Sequence, residues 1–317
     1  MEVAPSGRRS AALDRPLAVR VTRDADRVPG TVLYEALDAD GAPVPGPRAV
    51  VIARMHGNEP LGDPVLARLA ERAEERLVAG SLLTIRANEV GAALGLRHTA
   101  EGSDLNRFFD PATLARLRAL DPATASYEEL RARELVPLLL AADAILDLHS
   151  TSRPAAPFLV VRDDQAHRSL ARDLGVERLV TGVHENGVLS GGMAVNIGLH
   201  PGEKGGRIGL LFEAGQHTDP ANGDRAWEVC ERFLSGVGVW RSERPPSRVR
   251  SETYEVTERF VQAGAGTEQY RFILDPADGG GGRRGLPPRQ LHSFEELQAD
   301  EVILRRGKSE VARASAW

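Results

Sequence analysis

The chain has 317 residues, 42% hydrophobic and 27% charged, an ordinary globular composition that excludes global disorder and, at a soft ~150 residues per domain, implies about two domains. Its formal net charge of −5 argues against a surface that wraps nucleic acid. The single cysteine, Cys230, excludes an intramolecular disulfide framework and a cysteine-rich structural zinc site.

Residues 1–14 read as a loose tail with arginines but without the apolar core of a signal peptide. No run reaches the ~18 apolar residues of a membrane span, so the expectation is a cytoplasmic protein with no membrane or nucleic-acid partner. Leu17 to Leu37 suggests one or two strands, and the Gly/Pro-rich stretch 41–47 is a loop. Arg48 to Met55 (RAVVIARM) has the nearly continuous apolar character of a buried strand. A helix follows from Leu61 to about Val78, with Leu61, Val65, Leu66, Leu69 and Ala70 at helical spacing.

Ser81 to Ala87 (SLLTIRA) is a second buried strand, and Asn88 to Arg107 reads as a long irregular segment. Tyr127 to Ala142 is a helix, Asp143 to His149 (DAILDLH) a third strand and Phe158 to Arg162 a fourth. Gln165 to Leu174 is helical, Glu177 to Thr181 and Gly209 to Glu213 are strands, and Asp219 to Leu234 is an amphipathic helix. Apolar strands alternating with helices predict an α/β fold, a mainly parallel or mixed sheet covered by helices on both faces. This α/β unit is expected over 1–241. Arg241 to Ser251 (RSERPPSRVRS) reads as a linker, and residues 251–317, with strands at Thr253–Val261, Gln269–Leu274, Glu301–Leu304 and Ser309–Arg313, as a small β-rich domain.

Ligands of open parallel sheets gather at the carboxyl ends of the strands. Three predicted strands end there in polar residues: His56-Gly57-Asn58-Glu59, Asp147-Leu148-His149-Ser150 and Glu213-Ala214-Gly215. A lone His-x-x-Glu is common by chance. Here His56 and Glu59 follow one strand and His149 ends another parallel strand of the same expected sheet, and the two-histidine, one-carboxylate set suits one Zn²⁺ with a fourth position open to water. Gly57 is expected to permit a tight, strained turn beside the metal. Asp147, two residues before His149, points to the same side and is a candidate carboxylate partner for the site or for a neighbouring helix. Ser150 and His149 are adjacent on an extended segment and point opposite ways, which argues against a Ser/His nucleophile pair. Cys230 reads as core, His98 as an exposed loop histidine, and His217 as a residue at the start of a helix.

These pieces, HGNE at His56–Glu59, Asn88 after the second strand, DLNRFF at Asp104–Phe109, DLHST at Asp147–Thr151 and FEAGQ at Phe212–Gln216, resemble the succinylglutamate desuccinylase/aspartoacylase branch of the zinc carboxypeptidase-like superfamily. The resemblance covers roughly residues 48–235. It implies His56, Glu59 and His149 as zinc ligands, Glu213 as the catalytic carboxylate, and Asn106 and Arg107 as substrate-binding residues, Arg107 clamping a carboxylate. Arg97 is the candidate arginine for polarising the scissile carbonyl. Lys204 and Arg207 are candidates for the far end of the substrate.

The expected function is a zinc-dependent amidohydrolase that cleaves the amide bond of a small N-acylated amino acid or related amine, with Glu213 as general base and acid. The substrate is a small molecule carrying a carboxylate, and a homodimer is the default assembly. A carboxypeptidase-like activity on short peptides and a non-catalytic zinc-binding homologue are the alternatives. Of the 40 basic residues only Lys204 and Lys308 are lysines, so an arginine is informative here only through its placement.

Overall fold

The computed structural model describes residues 18–183, 192–197, 207–247 and 249–256, and the backbone of 270–271, 302–306 and 309–313. The expected N-terminal tail and Lys204 lie outside the described residues. The chain divides into two compact units, Met1–Ser152 with Pro157–Thr257, and Arg153–Ala156 with Glu258–Trp317.

In the first unit β1 (Ala18–Arg23) and β2 (Thr31–Leu37) are followed by β3 (Arg48–Ala53), α1 (Gly62–Arg76), β4 (Ser81–Arg86) and a short α2 (Glu89–Leu94). Then come α3 (Pro111–Ala119), α4 (Tyr127–Leu140), β5 (Ala144–Thr151), β6 (Phe158–Val160), α5 (Gln165–Asp173), β7 (Arg178–Thr181), β8 (Ile208–Gln216), α6 (Asn222–Val237) and β9 (Glu252–Glu255). The nine strands form one mixed sheet in the order β1-β2-β4-β3-β5-β8-β6-β7-β9. Its centre, β4-β3-β5-β8, is parallel, whereas β1 and β2 are antiparallel and β6 runs against β8. This is the α/β fold expected from the alternating apolar strands and helices.

Period-two alternation gives the central strands two different faces. Ala49 and Val51 of β3, Leu146 and Leu148 of β5, and Phe212 and Ala214 of β8 join the main core with α1, α5 and α6. Their neighbours Val50, Ile52, Asp147, His149 and Glu213 therefore point to the other face. β4 lies on one side of β3 and β5 on the other, so the chain reverses its direction of winding between β3 and β5. The crevice that this reversal opens at the carboxyl ends of the strands is where a ligand site is expected.

Some elements depart from the sequence reading. The irregular segment contains α2, six residues capped by Asn88, whose side chain accepts from the Gly91 amide at 2.8 Å. The strand expected at Thr253–Val261 is found as β9, which pairs in parallel with β7 and belongs to the first unit. The stretch read as a linker is tied to that unit as well: the Ser247 amide donates to Asp173 O at 3.0 Å, Ser251 Oγ donates to Val176 O at 2.7 Å, and Arg244 pairs with Glu231 at 2.9 Å. Its prolines and charges mark an extended surface path, which composition cannot tell from a free linker. The described strands of the second unit, β10 (Tyr270–Arg271), β11 (Val302–Arg306) and β12 (Ser309–Arg313), form an antiparallel three-stranded sheet. Among the described residues no helix is long and apolar enough to cross a membrane.

Candidate metal centre

His56 and Glu59 leave β3 on the loop that leads into α1, and His149 stands near the end of β5, so the crevice between the two strands collects all three. Each is almost fully buried. His56 Nδ1 lies 2.8 Å from Glu59 Oε1 and 3.2 Å from His149 Nδ1, and His149 Nδ1 lies 3.1 Å from Glu59 Oε2. Ligands held tetrahedrally at ~2.0–2.1 Å from zinc stand about 3.3 Å apart, close to the observed spacing.

The far side of each ring completes the picture. His56 Nε2 contacts Asp104 Oδ1 at 3.0 Å, and His149 Nε2 contacts Asp147 Oδ2 at 2.8 Å. Each imidazole can thus donate its Nε2–H to a carboxylate, which leaves both Nδ1 lone pairs aimed at one point beside an anionic Glu59. In that tautomer two lone pairs and a carboxylate converge on one point, and a positive charge, a metal ion or a proton, resolves the arrangement. The electrostatics point the same way. Burial alone would lower the His149 pKa, yet Asp147 and Glu59 together raise it well above the ordinary imidazole range. Burial would raise Glu59 and Asp104, but the histidines (joined at Asp104 by Arg107 and Arg97) hold both well below the usual carboxylate range. The donor set fits a metal ion.

Gly57 is glycine for a reason other than the turn expected of it. Its φ is not among the positive ones. A Cβ there would stand 2.0 Å from Gly91 C and 2.3 Å from Ala92 N, so the ligand loop packs directly on the backbone of α2. The left-handed residue of the loop is Arg54, at φ 56°.

Around the cluster, Arg97 Nη2 donates to Asp104 Oδ2 at 2.8 Å and its Nη1 lies 3.6 Å from Glu59 Oε1. Arg107 Nη2 lies 3.4 Å from the same Asp104 oxygen. Asn106, expected to bind substrate, has both ends of its amide engaged by protein: Nδ2 donates to Asp147 Oδ2 at 3.3 Å, and Oδ1 accepts from the Ala194 amide at 2.8 Å. Glu213 is paired in register with His149. A β-bulge follows at once, where His149 and Thr151 stand opposite Glu213 and Gln216, with Gly215 at φ 105°. Burial, ahead of the neighbouring charges, raises the Glu213 pKa, and its Oε2 is buried without a hydrogen-bond partner. A carboxyl group in that state suits proton transfer.

Arg207 is placed elsewhere. It precedes β8, at the opposite end of that strand from Glu213, and its guanidinium donates to the Ala142, Leu140 and Ile197 carbonyls. Ser150 finds a histidine partner, but in His217, 2.8 Å away, rather than in His149, and its amide donates to Glu59 Oε2 at 3.1 Å. Asp104 is the residue that sequence reasoning missed. It was read only as the first letter of the motif carrying Asn106 and Arg107, although a second buried imidazole calls for a second carboxylate partner.

A mixed α/β sheet with a buried His-Glu-His cluster at its switch point defines the class: an α/β domain with a candidate metal centre. The catalytic-domain model of the succinylglutamate desuccinylase/aspartoacylase family matches residues 45–218, more than half of the chain, and the chain belongs to that family of deacylating hydrolases. Its fold is similar to the product-bound ectoine utilization protein EutE (DoeB) from Ruegeria pomeroyi, at 19% identity and TM-score 0.57 over 95% of this chain and 96% of that one. It is also similar to the succinylglutamate desuccinylases from Vibrio cholerae (19% identity, TM-score 0.56, 82% and 77% covered) and Chromobacterium violaceum (17%, 0.54, 74% and 72%). No curated protein matches the chain closely enough to count as a relative.

Proposed function

We propose that this protein is a zinc-dependent amidohydrolase that removes the acyl group from a small, carboxylate-bearing N-acylated amino acid or related amine. The observation that carries the reading is the convergence of two Nδ1 atoms and Glu59 on one point, with both Nε2 atoms resting on Asp104 and Asp147. His56, Glu59 and His149 would hold the ion, which supplies Lewis acidity and makes a nearby water more acidic. Asp104 and Asp147 orient the rings, and Asn106 fixes Asp147 in turn. Glu213 takes a proton from the attacking water and returns it to the leaving amine. Arg97 stabilises the negative charge that develops on the scissile carbonyl oxygen, and Arg107 binds the substrate carboxylate.

The test is a screen of zinc-loaded protein against N-acetyl and N-succinyl amino acids and short peptides, with and without chelator. Chelator-reversible release of the amine from an acyl amino acid is the expected result. Cleavage of peptides alone would shift the reading to a carboxypeptidase-like enzyme, and bound zinc without turnover on any of them to a binding protein. His149→Ala should lose zinc. Glu213→Gln should keep it and lose about 10²–10⁴-fold in kcat, the usual contribution of general acid–base catalysis. Full zinc occupancy in the His149 variant would overturn the ligand set.

A further inference from the structure

Arg54, the residue after β3 and two before His56, is held in the left-handed region at φ 56°. L-residues other than glycine, asparagine and aspartate seldom adopt this conformation. Among the described residues the other non-glycine residues with positive φ, Asp24, Asp26 and Arg27, cluster in one surface turn. Arg54 instead lies between the fully buried Ala53 and Met55, and its carbonyl accepts from the Asn88 amide at 2.8 Å. Glycine would relieve the strain at this position. What glycine would lack is the side chain, and here each guanidinium nitrogen is used. Nη1 donates to Gly57 O at 2.5 Å, while Nε and Nη2 donate to Asp63 Oδ2 at 3.0 and 2.6 Å.

The placing of these two partners matters. Gly57 directly follows His56, and Asp63 is in the first turn of α1, just beyond Glu59. One guanidinium therefore ties the middle of the ligand loop to the helix on which the loop ends. The other oxygen of Asp63 accepts from Arg86 Nε at 3.3 Å, which fixes the carboxylate from the neighbouring β4. We propose that Arg54 is a positioning residue for the metal centre: its strained backbone turns the chain out of β3, and its guanidinium pins the loop so that His56 and Glu59 face His149 before any ion binds. This rests on reading the cluster as a zinc site.

Zinc affinity measured by competition with a chromogenic chelator, alongside melting of the zinc-free protein, tests the proposal in wild type, Arg54→Gly, Arg54→Ala, Asp63→Ala and the Arg54→Gly/Asp63→Ala pair. Removing groups that orient metal ligands typically weakens affinity about 10–100-fold, and both Arg54 variants and Asp63→Ala should fall by at least about tenfold. Because one clamp is broken from either side, the double variant should bind zinc no more weakly than the worse single one. Zinc-free Arg54→Gly should melt above Arg54→Ala, since only glycine relieves the left-handed strain. Wild-type zinc affinity in Arg54→Gly, or fully additive losses in the double variant, would overturn the proposal. If the Arg54 variants do not fold, unchanged affinity in Asp63→Ala alone does so. A wild-type protein that binds no zinc would instead overturn the metal-site reading itself and this inference with it.

Discussion

At the scale of single residues the site is governed by contacts that leave no freedom of choice. Gly57 is the clearest case. The atoms facing its absent Cβ are backbone atoms of Gly91 and Ala92, which cannot swing aside as a side chain can. Gly57→Ala must therefore push the ligand loop off α2. Overpacking of this kind usually costs about 1–3 kcal/mol, and the same displacement carries His56 and Glu59 out of register with His149. The expected outcome is a lower urea midpoint together with loss of bound zinc on metal analysis; a variant that keeps both would show that the loop can shift freely. The three ligand candidates were legible because each is a polar residue where an apolar strand stops. Asp104 was not, since its role follows from an imidazole 48 positions away and no local pattern announces it. Gly57 was legible as important but for the wrong reason: close approach between backbones cannot be told from a positive φ in a sequence.

Single elements show how support reaches the site from a distance. α4 opens with Ser126-Tyr127-Glu128-Glu129, a capping box in which the Ser126 hydroxyl and the Glu129 carboxylate satisfy each other's backbone amides. Glu128, in the same first turn, is buried and accepts from Asn88 Nδ2, Thr99 N and Thr99 Oγ1, so the start of α4 holds both ends of the segment that carries α2 and Arg97. Ser126→Ala should cost about 1 kcal/mol by chemical denaturation, the usual value of a lost N-cap. The pH dependence has a definite sign. Arg116 and the Ser126 backbone hold Glu129 below its ordinary pKa, so its contribution is fully present above the unfolded value of about 4.3 and fades as pH falls through the lower folded value. Glu129→Gln should thus be less stable than wild type at neutral pH, and the gap should narrow as the solution is acidified below about pH 4. A gap that widens on acidification would contradict this. α2 itself was invisible to periodicity because six residues make less than two turns. The reversal of β6 was equally hidden, because a three-residue apolar run (Phe158–Val160) reads the same in either direction.

For the molecule as a whole, the decisive feature is that the chain reverses its winding between β3 and β5, and every group assigned to the metal centre gathers there. His56, Glu59, Asp104, Asp147, His149 and Glu213, together with the Arg54–Asp63 clamp, all belong to the first unit. The fold class could be read from alternating apolar strands and helices, but the change of unit could not be read from composition, since the charged, proline-bearing stretch after Trp240 is held against the first unit and leads into β9. These placements separate two requirements that a deacylase combines, holding the ion and choosing the substrate. A chain ending after Thr257 keeps all the ligands, their carboxylate partners and the whole nine-stranded sheet. It should therefore fold cooperatively and compete for zinc against a chelator with the affinity of the full-length protein, whatever happens to its choice of substrate. Loss of zinc affinity in a truncated chain with an intact far-ultraviolet spectrum would mean that residues beyond 257 help to build the metal centre; equal affinity with altered turnover would assign them to substrate selection.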